Sequence, residues 1–397
     1  MVNMQIGLVG KPNVGKSTFF SALTMHEVPI ANYPFTTISA NRGIGYVRRP
    51  CPHTILGKPC TPKNSICKND VRYIPVELID VAGLVPNAHL GKGLGNKFLD
   101  DLRNAKALIH IVDISGSTDF EGNTVDPGAH NPMDDISFLE NEISYWIKDI
   151  IENNFKKIAR KIESENIKVE TVIYEQLTGL GISENEVIRA VKDSYMDAPT
   201  KWKDEDFLRL SKNLLHISKP IIIAANKADK TPEEFIKNFS NSDYKIIPTS
   251  ADYELALLKA KKAGLIEYYP GAKDFKVLRP DALTNQQKKA LDRISEYMDR
   301  FGGTGVQSVL EYTTFNLLDL ISVYPVEDEN KWCDKNGNVL PDVYLVKNGA
   351  TAIDLAYKVH TDLGENFIRG IDAKTKKIIG SDHILKDGDV IKIVAKT

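Results

Sequence analysis

A glycine-rich segment near the start of the chain, GKPNVGKST, has the residue types that bind a nucleoside triphosphate. Gly10 and Gly15 let backbone N–H groups curl around a phosphate, and a helical pattern follows, so a helix N-terminus adds its dipole. Lys16 would reach the β- and γ-phosphates, and the Ser17 hydroxyl would coordinate Mg²⁺. The spacing predicts a P-loop. We expect the other members of the segment to line the same phosphate site: Lys11, Pro12, Asn13, Val14 and Thr18.

The segment LIDVAGLVP raises the question of how such a phosphate site would use water. Asp80 could hold Mg²⁺ through a water molecule, and Gly83 permits close approach to the γ-phosphate. The next residue is Leu84, whose side chain cannot orient an attacking water. Three substitutes for a water-orienting side chain at position 84 stay open. They are a K⁺ ion held by Asn13, His89 in the glycine-rich stretch that follows, and a partner that completes the site in trans. Asn13 could equally be a turn residue.

A third segment, IIIAANKAD, combines an apolar run with the side chains that read guanine. The Asp229 carboxylate can accept hydrogen bonds from N1 and N2 of guanine, whereas adenine would present it with a lone pair. We expect Lys227 to lie along the base and Asn226 to tie its loop to the P-loop. Ser250 and Ala251, in PTSAD, could offer backbone N–H groups to the guanine carbonyl. The order of these motifs after a P-loop predicts a guanine nucleotide.

Each of these segments is positioned by a short, continuously apolar run, as expected of strands buried on both faces of a parallel sheet. The runs are Ile6–Val9, Val76–Ile79, Leu108–Val112 and Ile221–Ala225. Their alternation with helical patterns predicts an α/β fold of the P-loop NTPase type with a mainly parallel sheet. Apolar residues recur at helical spacing from about residue 131 to 215, which predicts a helical insertion. The alternative is a set of extra core helices in one larger domain.

Taken together, these motifs resemble the Obg/YchF branch of translation-factor-type GTPases. The resemblance rests on GKPNVGKST, NYPFTT, DVAGLVPNAHLGKGLGNKFL, NKAD and SAD. It assigns Thr37 in NYPFTT to Mg²⁺ and the γ-phosphate, and it places Leu84 where related enzymes have a water-orienting glutamine. The last 75 or so residues, with DLAYKVHTDLGENF and LKDGDVIKI, resemble a TGS domain, a small β-grasp module of RNA- and ribosome-associated proteins.

The resemblance implies a slow, Mg²⁺-dependent GTPase, stimulated by K⁺, that works with the ribosome or structured RNA in translation. The metal ligands would be Ser17, Thr37 and Asp80. The catalytic candidates are Lys16, Thr37, Gly83 and Asn13. YchF proteins proper favour ATP and have a changed base motif, whereas this chain keeps Asn-Lys-x-Asp, which favours GTP. Two alternatives stay open: a YchF-like ATPase, and a nucleotide-gated RNA- or ribosome-binding adaptor with negligible intrinsic catalysis.

The same comparison of motifs divides the chain into three parts. We predict a G domain of residues 1–130 and 216–325, a helical, coiled-coil-like insertion at 131–215, and a TGS-like domain at 326–397. The net charge of −2 means that any basic surface must be local. No apolar run approaches the ~18 residues that span a bilayer, and the first residues lack the pattern of a signal peptide. We therefore expect a cytoplasmic protein with no membrane partner and no DNA partner.

A cysteine-rich, basic stretch lies between NYPFTT and the second apolar run. Four of its residues offer metal-binding atoms: Cys51, His53, Cys60 and Cys67. They could in principle form a tetrahedral Zn²⁺ site, but the spacing has no Cys-x-x-Cys pair, so free thiols are favoured and zinc is not expected. The stretch also has seven basic side chains, which predict either a nucleic-acid-binding patch or a plain solvated loop: Arg42, Arg48, Arg49, Lys58, Lys63, Lys68 and Arg72.

Overall fold

The computed structural model describes residues 5–25, 41–81, 101–195, 197–232, 235–236, 239 and 243–396. Four residues singled out above lie outside this described part: Thr37, Gly83, Leu84 and His89. Within the described ranges, no helix is both long enough and apolar enough to cross a membrane.

The larger sheet is mainly parallel, as predicted. Its strands are β1 (Gln5–Val9), β2 (Arg42–Pro50), β3 (Ile66–Lys68), β4 (Val71–Asp80), β5 (Ala105–Asp113), β6 (Ile221–Asn226) and β7 (Ile246–Pro248). They lie in the order β2-β4-β1-β5-β6-β7, and β3 pairs with β4. Strands β4, β1, β5, β6 and β7 run parallel, while β2 and β3 pair antiparallel to β4. The carboxyl ends of the parallel strands therefore meet at one edge, where the predicted motifs follow them.

Helices cover both faces of this sheet. They are α1 (Lys16–Thr24), α2 (His53–Leu56), α3 (Pro132–Ser164), α4 (Val169–Leu177), α5 (Glu184–Asp193), α6 (Asp204–Ser218), α7 (Ala251–Lys262), α8 (Asn285–Phe301) and α9 (Val306–Tyr312). A π-helical turn, Thr313–Leu317, follows α9, and a small hairpin of β8 (Ile266–Glu267) and β9 (Lys276–Val277) follows α7. Short 3₁₀ turns lie at Thr178–Leu180, Pro199–Lys201, Ala228–Lys230 and Pro280–Ala282.

Helices α3 to α6 form the insertion between β5 and β6. Helix α3 buries Ile136, Leu139 and Ile143 in the same cluster as Leu108 of β5 and Ile223 of β6. At the start of α5, Ser183 and Glu186 form a capping box, in which each side chain bonds the backbone of the other residue. The insertion helices and this face of the sheet therefore bury one common apolar core.

A second, five-stranded sheet forms the C-terminal domain. Its elements are β10 (Leu320–Val326), β11 (Tyr344–Lys347), α10 (Ala352–Val359), α11 (Thr361–Glu365), β12 (Phe367–Asp372), β13 (Ile378–Ile379) and β14 (Asp389–Ala395). Strand β10 pairs with both β11 and β14. Strand β10 therefore belongs to the second sheet although it begins before residue 326, where the sequence placed the start of the TGS-like domain. The domain boundaries themselves stay a prediction.

Most basic side chains of the 41–72 stretch face the remainder of the chain. Arg49 pairs with Asp387 at 3.1 Å and Lys63 with Asp334 at 2.5 Å, both across to the C-terminal domain. Arg72 is fully buried and donates to a backbone carbonyl of that domain. For Arg72, which is buried, both a nucleic-acid patch and a plain solvated loop are wrong predictions, whereas Arg49 and Lys63 form partly exposed ion pairs. Their partners lie far along the chain, where no local pattern reveals them.

Candidate nucleotide-binding site

The P-loop lysine and the predicted metal-binding aspartate meet at the carboxyl edge of the large sheet. In the β1–β4 register Leu8 lies opposite Asp80, so the loop that follows β1 passes directly over the end of β4. Lys16, the first residue of α1, forms an ion pair with Asp80, and both side chains keep part of their surface exposed to solvent. Ser17, next along the first turn of α1, is exposed. This arrangement puts a cation, a carboxylate and a hydroxyl within one small region.

The backbone of the P-loop requires a glycine where it passes the base motif. Gly15 has φ +94°, and a Cβ on it would lie 2.4 Å from Asn226 Nδ2, a separation that no side chain could accept. Gly15 also precedes α1, so the backbone N–H groups of the first helical turn point into the loop. Thr18 lies in that first turn. The loop therefore has the shape that a phosphate group needs.

Three other residues of the P-loop face away from the phosphate position. Lys11 is buried, and its ammonium group donates to Thr118 O at 2.7 Å and pairs with Asp135 at 2.8 Å. Val14 is fully buried in the apolar core. Pro12 is exposed and packs beside the loop at Gly122. Because an acid of α3 holds the Lys11 side chain and the core holds that of Val14, these two residues could meet a phosphate only through their backbone, and their assignment to the phosphate site stays a prediction.

Asn13 connects the P-loop to the loop after β5. It has a left-handed backbone, with φ +64°, and its Nδ2 donates to Gly122 O at 2.8 Å. With Nδ2 engaged in this way, the side-chain oxygen Oδ1 is the atom that remains to bind a cation.

Asn226 joins the base motif to the P-loop. Its Nδ2 donates to Val14 O at 2.8 Å, and its Oδ1 accepts from Ala251 N at 3.1 Å. One side-chain amide therefore holds three segments together: the P-loop, the end of β6 and the start of α7. Asn226 is 3% exposed, so breaking its hydrogen bonds would leave buried polar groups unpaired.

Lys227 contacts an aspartate that the sequence did not single out. Lys227 has φ +61°, and its ammonium group lies 2.8 Å from Asp113 Oδ2 and 3.1 Å from Thr118 Oγ1. Burial alone would raise the pKa of Asp113, but hydrogen bonds from Lys227, Ser115 and Thr118 hold that pKa below its ordinary value. The sequence signal that could have identified Asp113 is its position. It ends the apolar run of β5 just as Asp80 ends β4.

Asp229 lies half-buried in the 3₁₀ turn that follows β6. It makes no hydrogen bond or ion pair with another described residue. The nearby Tyr297 is buried, and its pKa is raised by that burial first and then by the Asp229 charge. The Asp229 carboxylate therefore has its accepting lone pairs available to a ligand.

The two backbone amides predicted to face the guanine carbonyl are engaged within the protein. Ser250 N donates to Thr304 O at 3.0 Å, and Ala251 N donates to Asn226 Oδ1. Ser250 also caps α7 by accepting from Tyr253 N. The prediction that both N–H groups are free is wrong in this structure, because the same turn has to cap a helix and brace Asn226.

The strand order, the P-loop and the Asn-Lys-x-Asp turn at one sheet edge define a P-loop GTP-binding protein. Family models agree: a 50S ribosome-binding GTPase model matches residues 5–153, the G4 motif-containing domain of Obg-like, YGR210-like GTPases matches 224–328, and the TGS domain matches 335–395.

Full-length relatives define the family. A GTP-binding protein of Methanocaldococcus jannaschii is 53% identical over 396 residues, covering 98% of each chain. A solved GTP-binding protein from Pyrococcus horikoshii OT3 is 43% identical, with a TM-score of 0.79, covering 99% of this chain and 100% of that one. The ribosome-binding ATPase YchF of Mycoplasma genitalium is 28% identical over 406 residues, covering 98% of each chain. The chain belongs to the Obg/YchF family of GTP-binding proteins with a C-terminal TGS domain, which confirms the resemblance.

Proposed function

We propose that this protein binds GTP and hydrolyses it slowly to GDP and phosphate, as a switch that reports its nucleotide state to the ribosome or to structured RNA. The observation that supports this most directly is the position of Asn226, whose amide joins the base motif to the P-loop. Because of this link, a carboxylate suited to guanine and a loop suited to phosphate lie a fixed distance apart. The family's GTP-binding members and the ribosome-binding name of YchF point the same way.

The oxygen donors at the sheet edge fit Mg²⁺, which prefers hydroxyl, carboxylate and phosphate oxygens. Ser17 and Asp80 would hold the ion, with Thr37 as a third ligand, and the ion would neutralise developing charge between the phosphates. Lys16 would bind the β- and γ-phosphates. In this proposal Lys16 leaves Asp80 when nucleotide binds, so that each group exchanges its partner for a ligand of opposite charge. Gly83 would let the following segment approach the γ-phosphate.

A potassium ion is our candidate for the charge that other GTPases obtain from an arginine finger. Asn13 would hold K⁺ through Oδ1, in keeping with the engagement of its Nδ2 by Gly122 O. K⁺ at this position would stabilise charge at the β–γ bridge in the transition state. In this assignment Asn13 is catalytic because it would hold the ion beside the phosphates, and not through contact with the attacking water.

A cleft with a volume of about 220 Å³ is our candidate for contact with RNA. Tyr269 and Lys262 line it, and the ammonium groups of Lys68 and Lys261 lie 5.2 and 5.1 Å from the ring centroid of Tyr269. An aromatic face beside lysines suits an unstacked base and its phosphate. Charge reversal of Lys68 and Lys262 should weaken ribosome binding and flatten its salt dependence. The same reversal of exposed Lys288 on α8 should not.

Single-turnover GTP hydrolysis with and without ribosomes tests the proposed function. We expect slow hydrolysis by the protein alone and faster hydrolysis with ribosomes. The proposed function also places the protein in the cytoplasm. An absence of hydrolysis under both conditions, with ribosome binding still dependent on GTP, would favour the alternative of a nucleotide-gated adaptor. Preferential hydrolysis of ATP would favour the second alternative, a YchF-like ATPase, as the names of several relatives suggest.

A further inference from the structure

Four side chains that the sequence spaces irregularly converge beside β2, α2 and β3. The sulfurs of Cys51 and Cys60 are 3.8 Å apart, and His53 Nδ1 lies 3.5 Å from Cys60 Sγ and 3.6 Å from Cys67 Sγ. All four ligand atoms lie within 4.8 Å of one another. A tetrahedral zinc site with Zn–S bonds of about 2.3 Å requires sulfur–sulfur separations of about 3.8 Å and sulfur–nitrogen separations of about 3.5 Å. The sulfur–sulfur distance and the two sulfur–nitrogen distances given above match this geometry.

Backbone pairing brings these residues together without a Cys-x-x-Cys motif. Strand β2 pairs antiparallel with β4, and just beyond that ladder Cys51 N donates to Asp70 O at 2.8 Å. Strand β3 pairs with β4 so that Cys67 lies opposite Arg72. The first turn after β2 supplies His53. The fold therefore removes the objection that the spacing raised against zinc, because the ligands are assembled across strands.

The histidine is oriented as a metal ligand. Its Nε2 lies 3.1 Å from Asp70 Oδ1, while Nδ1 faces the thiols of Cys60 and Cys67. A carboxylate at Nε2 keeps the proton on that nitrogen and leaves the Nδ1 lone pair for the metal. Metal-binding histidines regularly have such a carboxylate partner. The His53–Asp70 contact is therefore a second observation, independent of the thiols, that points to a metal.

A buried positive charge adjoins the cluster. Arg72 is 0% exposed, and its charge acts on both Cys51 and Cys60. Three thiolates and one Zn²⁺ would leave one net negative charge, which the Arg72 guanidinium is placed to balance. Such a site binds zinc through deprotonated sulfur.

We propose that Cys51, His53, Cys60 and Cys67 bind one Zn²⁺ ion. Four protein ligands would fill the tetrahedral coordination shell and leave no position for water, so the ion is structural and not catalytic. The site lies at the opposite end of β4 from Asp80 and is separate from the nucleotide site.

The zinc ion would fix the loop that docks the C-terminal domain. Between Cys60 and Cys67 the chain bonds a segment of that domain: Thr61 N donates to Val339 O at 2.9 Å, and Asn64 Oδ1 accepts from Val343 N at 3.0 Å. Val339 N in turn donates to Thr61 Oγ1 at 2.7 Å. Because ligands stand at both ends of this short loop, the metal would hold it in the conformation that makes these bonds.

Metal analysis of the purified full-length chain tests the site. We expect about one zinc per chain, its loss in Cys60→Ser and Cys67→Ser, and its retention in Cys333→Ser, a buried cysteine outside the cluster. Replacement of zinc by Co²⁺ in the wild-type chain should produce the visible absorption of a tetrahedral thiolate site, a readout that does not depend on variants. Zinc below a tenth of an equivalent after Zn²⁺ supplementation, or a Cys51–Cys60 disulfide in the protein as purified without added oxidant, would overturn the proposal.

Hydrogen exchange tests the docking role. Chelation of the metal should speed exchange at least tenfold at the amides of Val339 and Val343, which donate to the zinc-flanked loop. The amide of Ala373 donates to Val390 O within the C-terminal domain and is the matched control, so its exchange should not change. Unchanged exchange at Val339 and Val343 after complete metal removal would overturn the docking role and leave the zinc site itself in place.

Discussion

Lys16 and Asp80 form an ion pair across the adjoining ends of β1 and β4. In the proposed function the two side chains bind different parts of the same Mg²⁺–GTP: Lys16 binds the phosphates and Asp80 binds the Mg²⁺. If the proposed function is right, binding of Mg²⁺–GTP would exchange one internal ion pair for two external ones. This exchange would couple the P-loop to the segment that begins after β4, which is the segment expected to respond to the γ-phosphate.

Removal of the Asp80 charge should separate metal binding from phosphate binding. We expect Asp80→Asn to lower single-turnover GTP hydrolysis at saturating Mg²⁺ by roughly 10²-fold, because a group that positions the charge-stabilising ion is lost. GTP affinity measured in EDTA should not fall, since Lys16 is then freed for phosphate. Glu77→Gln on the same strand, which contacts Arg42 instead, is the control. Hydrolysis within twofold of wild type in Asp80→Asn would contradict its assignment to Mg²⁺.

Conversion of the Asp229 carboxylate to an amide should change the base that is recognised. We expect Asp229→Asn to lose about 10²-fold or more in GTP affinity and to gain affinity for xanthosine triphosphate, whose N1–H and 2-oxo group match an amide. Asp252→Asn is a matched control, because Asp252 is an exposed carboxylate on the first turn of α7. Competition between the two nucleotides measures the effect. An Asp229→Asn variant with wild-type GTP affinity would show that the base is read elsewhere.

Potassium should accelerate hydrolysis through Asn13. We predict that GTP turnover at equal ionic strength is about tenfold or more faster in KCl than in NaCl, since an added cation near the transferred phosphate replaces an arginine finger. Asn13→Ala should abolish the difference between the two salts. Turnover measured in both salts for both proteins decides this, and equal wild-type rates would rule out the Asn13 assignment.

Stability below neutral pH should depend on His110. This residue of β5 is 3% exposed, its Nδ1 has no hydrogen-bond partner among the described residues, and burial together with Lys11 lowers its pKa to about 3. Below the ordinary histidine pKa of about 6.5, His110 therefore binds a proton in the unfolded chain but stays neutral in the folded protein. Stability is full above that value and is lost as the pH falls toward 3, by at most about 1.4 kcal/mol per pH unit.

Urea unfolding of the wild type and of His110→Leu at about pH 7.5 and 5.5 measures this contribution. We expect the difference in unfolding free energy between the two proteins to shift by about 1.4 kcal/mol in favour of the variant at the lower pH. His383→Gln, an exposed histidine of the C-terminal domain, should show no such shift. A pH-independent difference would mean that the pKa of His110 is the same in the folded and the unfolded protein.

The parts of this molecule that follow from local sequence were predictable. Strands β1 and β6 are continuously apolar because they are buried on both faces, and the residues just past their ends are fixed by the chain direction. The contact of Asn226 with the P-loop follows from the same logic, since parallel strands deliver their ends to one edge.

The parts that depend on distant pairing were not predictable. The partner of Lys11 is Asp135 on a helix of the insertion, and the partner of Lys63 is Asp334 in the other domain. The four side-chain atoms of the proposed zinc site converge only because β3 and β2 both pair with β4. In each of these contacts the partner is selected by tertiary packing, which residue spacing does not encode.

Nucleotide preference measured by titration calorimetry in Mg²⁺ and K⁺ tests the central claim most directly. GTP and ATP share the phosphates and the metal, so their difference isolates the base and hence the role of Asp229. We predict that GTP binds at least about 10²-fold more tightly than ATP, because ATP would place a lone pair against the Asp229 carboxylate. Equal affinity, or tighter binding of ATP, would contradict the assignment of this protein as a GTPase.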